Sequence, residues 1–135
     1  MQVLALLGRV LMSAIFLSSG YHKLMAPDAT MGMLAHYGLP AVQAGYAVSV
    51  VVELGGGALV LIGWKTRWVA PVMALWCVAT ALVAHWHPDD PTQMINFTKN
   101  LCMAGGFLQL AVYGAGRFSA DREQRDPHIA AEDAV

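Results

Sequence analysis

The chain has 135 residues, of which 57% are hydrophobic and only 13% charged, against about 25% charged in an average soluble domain. Such a balance excludes an ordinary water-soluble fold, and a formal net charge of −1 supplies neither the basic surface nucleic acid needs nor an acidic one for cationic partners. Cys77 and Cys102 are not spaced as a CxxC pair or a zinc knuckle and read as small buried hydrophobes, with a redox pair between the third and fourth apolar runs as the alternative.

A hydrocarbon core about 30 Å thick calls for about 20 apolar residues in a helix, and four runs meet that need. The first covers residues 3–24. It has no Lys or Arg ahead of it, Arg9 interrupts it and no A-x-A site follows, so it reads as a retained span and not as a cleaved signal; Pro27-Asp28 reads as the turn that stops it. The second covers 42–63, after Gly38-Leu39-Pro40 and before Trp64-Lys65-Thr66-Arg67. The third covers 68–86 and leaves through His85, His87, Pro88 and Asp89. The fourth covers 97–114 and ends at Gly114-Ala115-Gly116, ahead of a polar tail, 117–135, expected to be mobile.

Soluble bundles carry a polar stripe along each helix, whereas Glu53 is the one charge between residues 42 and 63. Backbone groups in lipid must be satisfied within their own segment. The expected fold is therefore an all-α membrane protein, a four-helix transmembrane bundle. Lys and Arg gather on one side of the spans, at Arg9, Lys65, Arg67, Arg117, Arg122 and Arg125, while the other side has Lys23 and Lys99. The positive-inside rule then puts both termini in the cytoplasm.

Ionisable groups within spans are costly and call for partners. Glu53 lies near mid-span with Ser49 and Gly57 on its face. On the first run Arg9, Ser13, Phe16, Gly20 and Lys23 recur at helical spacing and should face inward. An Arg9–Glu53 ion pair is geometrically reasonable, whereas Lys23 is expected to snorkel to the outer interface. On the fourth run Lys99, Cys102, Gly106, Gln109 and Tyr113 form a similar stripe, also expected inside. His22, Lys23, His85, Lys99 and Asn100 share one depth and form a candidate extracytoplasmic cluster, with chemistry suited to a carbonyl or anionic head group and to moving a proton; the plainer reading leaves them as interfacial polar residues. The histidines show no ordered metal-ligand spacing. Gly55-Gly56-Gly57 and Gly105-Gly106 read as close-packing sites.

Several segments together resemble the DoxX family of small bacterial membrane proteins. They are Gly8-Arg9, Phe16 and Gly20-x-x-Lys23 in the first run; Glu53-Leu-Gly-Gly-Gly and Leu61-x-Gly63-x-x-Thr66-Arg67 across the second; His85; and Phe97-x-Lys99-Asn100-Leu101, Gly105-Gly106 and Gly114-x-Gly116 in the fourth. The resemblance covers nearly the whole chain up to the tail. It implies four helices in the bacterial inner membrane and singles out Arg9, Glu53, His85, Lys99 and Asn100. The family is similar in architecture to the DoxD-type subunit of thiosulfate:quinone oxidoreductase, and some members are associated with membrane redox or oxidative-stress complexes.

With no haem-ligand pair, flavin or nicotinamide fold, or CxxC, a redox role requires quinone or an oxidoreductase partner subunit. The leading expectation is an accessory subunit without catalytic activity of its own, its polar interior a candidate site for quinone or another small lipid-soluble ligand. The alternatives are a transporter or permease component, working as a homo-oligomer, and a structural scaffold.

Overall fold

The computed structural model describes residues 2–121, and within them helices are the only regular secondary structure. Helix α1 spans Gln2–Met25, without a proline to interrupt it. Helix α2 spans Pro27–His36, where a loop is expected. Pro27 does stop α1, but its fixed φ and missing N–H also suit the first position of a new helix, and Asp28 complements the dipole in that first turn. The helix closes at Gly38, whose φ of +76° is open to glycine at little cost.

Helix α3 spans Val42–Ile62. Its centre, Val51–Gly56, is a π-helical segment containing Glu53. It ends at Gly63, φ +69°, with the Gly63 N–H donating to Val60 O (3.1 Å) and the Trp64 N–H to Leu59 O (3.0 Å). Helix α4 spans Thr66–Ala84, so His85 is its C-cap. Helix α5 spans Pro91–Tyr113; Asp90 is the N-cap, accepting from Thr92 N and Gln93 N, and Pro91 takes the first turn.

Three helices, α1, α3 and α4, are long and apolar enough to cross a membrane. The fourth expected span begins earlier than predicted. Helix α5 has 23 residues, but Thr92, Gln93, Asn96, Thr98, Lys99 and Asn100 make its first half polar. It packs most extensively against α4. That seam is built of small side chains, with Ala70, Ala74, Ala81 and Ala104 buried around Met73, Cys77 and Phe107, and small residues let helix backbones approach closely. Phe16 reaches it from α1, its ring 5.5 Å from that of Phe107.

The outer surface is apolar. Leu11, Val51 and Leu75 are 74%, 68% and 69% exposed, far more apolar exposure than a water-soluble monomer tolerates in one belt. Trp64, Trp68 and Trp86 are also exposed, at helix ends, the positions amphipathic rings take at a membrane interface.

The inward stripe expected on α1 is present: Arg9, Ser13, Phe16 and Gly20 are its buried residues. The stripe expected on α5 is not. Lys99, Cys102, Gln109 and Tyr113 are exposed, and Ala104 and Phe107 face the core. Burying Lys99 without a counter-ion is expensive, and the carboxylate buried among the described residues, Glu53, is held by another lysine. Cys77 is buried and Cys102 exposed, both as free thiols.

Candidate functional site

Glu53 is 3% exposed and forms an ion pair with Lys23 of α1 through Oε1. The same oxygen accepts from Trp76 Nε1 of α4 at 3.3 Å, and Lys23 Nζ also approaches Ser19 Oγ at 3.4 Å. Three helices thus meet at one carboxylate. The other oxygen, Glu53 Oε2, is buried and has no hydrogen-bond partner among the described residues.

The close approach of α1 depends on Gly20. A Cβ there would lie 2.8 Å from Leu54 Cγ and 3.1 Å from Glu53 Cβ. The π-helical turn opposite Gly20 carries Glu53 itself, and such turns recur where a helix redirects a functional side chain.

Beside this centre lies a cavity of about 420 Å³, within the usual size range of small-molecule sites. Its walls are mostly apolar and include Met33 and Leu34 of α2, Leu39 of the following turn, Val48 of α3, and Ala79 and Val83 of α4. Lys23, Ser49 and Trp76 also line it. Two of these bond to Glu53 and the third precedes it by one turn, so the cavity's polar wall and the ion pair are one structure. Tyr37 and Thr80 add two hydroxyls to the lining.

The expected Arg9–Glu53 pair does not form, and Lys23 does not snorkel outward. Fourteen residues separate Arg9 from Lys23 along α1, about 21 Å at 1.5 Å per residue, and Arg9 lies at the level of Leu61, eight residues beyond Glu53 on α3. Its guanidinium, 1% exposed, donates to Leu61 O at 3.2 Å and to Phe118 O. It belongs to a second polar centre at the opposite end of the molecule. There Asp121 caps α4, accepting from Lys65 N at 2.6 Å and Thr66 N at 2.8 Å, and its own N–H donates to Gly63 O at 2.9 Å. The Arg117 N–H donates to Gln2 Oε1 at 2.8 Å. The first residues of the expected tail therefore strap across the ends of α1, α3 and α4; residues 122–135 lie outside the described residues.

The candidate cluster of His22, Lys23, His85, Lys99 and Asn100 is not assembled. Lys23 alone reaches Glu53. His85 Nδ1 lies 2.8 Å from Gln93 Oε1, tying α4 to α5, while the Asn100 side chain donates to Asn96 O of its own helix at 3.0 Å. His22 and Gln109 are exposed. Lys99 is exposed beside an open groove of about 750 Å³ that Ile15, Ile95, Cys102 and Met103 also line. Trp76 is the participant that sequence reasoning passed over. Its signal was an indole N–H in the middle of an apolar span, a donor that needs a buried acceptor.

Long apolar helices, an apolar outer belt and a polar interior shielded by small residues define a small helical integral membrane protein. The DoxX family profile matches residues 4–86, and the chain belongs to that family. It is 36% identical over 126 residues to the inner membrane protein YphA of Escherichia coli, covering 89% of each chain. It is 34% identical over 117 residues to the inner membrane protein YqjF of the same organism, covering 87% of this chain and 88% of the relative. With an uncharacterised membrane protein of Mycobacterium tuberculosis the identity is 30% over 125 residues, covering 84% and 77%. No solved structure matches the chain.

Proposed function

We propose that this DoxX-family protein is an inner-membrane protein with four membrane spans that binds a small lipid-soluble ligand beside the Lys23–Glu53 pair, with quinone as the leading candidate, and serves as an accessory subunit in membrane redox physiology. The observation that carries the ligand reading is the cavity itself: apolar walls for a lipophilic body, with Lys23, Ser49 and Trp76 in one wall for its head group. The inner-membrane names of the E. coli relatives support the location, and the resemblance set out above supports the redox context. Helix α5 is long enough to cross, at about 35 Å, and presents Leu101, Leu108 and Val112 outward, which supports a fourth span. Arg9, Lys65, Arg67 and Arg117 at one end of the bundle support cytoplasmic termini.

Purified protein in lipid nanodiscs, titrated with a short-tailed benzoquinone, tests this reading. Saturable binding above empty nanodiscs is expected, weakened in Lys23→Met; binding no greater than partition into the lipid overturns it. A buried ion pair beside a cavity is also equipment for a proton-coupled carrier. That second reading predicts pH-dependent solute flux in proteoliposomes, abolished by Glu53→Gln.

A further inference from the structure

The charge balance at the cavity selects the ligand's chemistry. We propose that the cavity takes a neutral amphiphile with a hydrogen-bonding head, and that the Lys23–Glu53 pair acts as a charge filter against both anions and cations. This rests on the ligand-binding reading above and adds to it a rule about which ligands enter.

Three observations lead there. The first is that the charge presented to the cavity is already balanced: Lys23 lines it and is paired directly with Glu53 behind it. Among the described residues no Asp, Glu or Arg lines the cavity, and Lys23 is its one lysine.

The second is that each member of the pair needs the other. An anionic head would have to draw Lys23 away from Glu53, leaving a carboxylate that is 3% exposed and whose Oε2 already has no partner among the described residues. A cationic head would compete with Lys23 for Glu53 and strand the ammonium. Either exchange leaves a buried charge uncompensated, the costliest outcome for such a pair.

The third is that the neutral head still finds a donor. Lys23 Nζ has three N–H groups, and its bonds within the described residues go to Glu53 and Ser19, so one remains for a carbonyl or hydroxyl oxygen. The Trp76 N–H and the Ser49 hydroxyl are already committed, to Glu53 Oε1 and Tyr46 O. The Tyr37 and Thr80 hydroxyls line the same cavity and add uncharged hydrogen-bonding groups for such a head. A volume of about 420 Å³ lies at the lower end of small-molecule sites, which suits one substituted ring or a chain of similar bulk.

The test uses three probes of matched size that differ in the head: para-hexylphenol (neutral), para-pentylbenzoate (anion) and para-pentylbenzylammonium (cation). Each is titrated at pH 7.5 into the full-length protein in nanodiscs, following quenching of tryptophan fluorescence, with Trp76→Phe identifying the signal from the cavity. The phenol is expected to bind at least tenfold more tightly than either ion. In Glu53→Gln the order should invert between phenol and benzoate, because Lys23 then lacks its counter-ion and the anion supplies one. In Lys23→Met the ammonium should gain instead, which keeps the test sound if one variant fails to fold. Equal or tighter binding of an ion to the native protein overturns the filter while leaving the cavity reading intact, as does an unchanged order in both variants. Saturable binding of none of the three overturns both.

Discussion

Lys23 and Glu53 are partners with unequal freedom, and the consequence is measurable. In Lys23→Met the glutamate keeps a short side chain in the middle of α3, 3% exposed, and loses the cation that pairs with it. Removing one partner of a buried pair costs about 3–5 kcal/mol, and this variant should fall in that range. In Glu53→Gln the carboxamide keeps an oxygen for Trp76, and the stranded ammonium sits on a long stem, with the Lys23 side chain already 18% exposed in the last turn of α1. It can swing toward the interface, so a smaller loss, about 1–2 kcal/mol, is expected for a charge-assisted bond of this kind. The double variant Lys23→Met/Glu53→Gln removes both charges and should be more stable than Lys23→Met alone, because an absent pair is cheaper than half a pair. Reversible unfolding in mixed micelles, followed by circular dichroism and closed as a double-mutant cycle, measures all three. Equal losses in the single variants, or strict additivity in the double, would refute the coupling and with it the reasoning about the site.

Other predictions follow from close contacts. Gly20→Val should cost about 1–3 kcal/mol through overpacking against Leu54, whereas Gly105→Ala, with nothing within 4 Å of the added carbon, should be neutral or stabilising by up to about 1 kcal/mol; thermal melts in detergent distinguish them. Asp121→Ala removes the cap of α4 and should lose about 0.5–2 kcal/mol, while Asp121→Asn retains much of it. Gly63→Ala combines a left-handed φ with a Cβ pressed against Arg9 and Ser119, and its melting temperature should fall further than that of any Gly→Ala variant within α3.

The helices were legible because apolar run length is a strong signal in a membrane protein, and the inward face of α1 followed from spacing alone. Helix α2 was missed because Pro27 stops one helix and starts another with the same ring geometry. The choice of Lys23 over Arg9 as the partner of Glu53 turns on depth along antiparallel helices, and a strip of sequence fixes depth only loosely; Gly20 beside the π turn of α3 settles it by bringing that level of α1 within reach. The stripe on α5 misled because polar periodicity identifies a face without saying whether it points in or out. Packing decided that, through Phe107 and the alanines of α4. Trp76 was visible in the sequence but its acceptor was not, since the two residues lie on different spans.

The central claim is that the space beside Lys23, Ser49 and Trp76 is a ligand site. Ala79 lines it from α4, and Ala79→Trp would fill it without touching the ion pair. Titration of a short-tailed benzoquinone into native and Ala79→Trp protein in nanodiscs, with thermal melts to confirm folding, tests the claim directly. Saturable binding to the native protein and its loss in a folded Ala79→Trp variant is the predicted result; equal binding by both proteins, or saturation by neither, contradicts it.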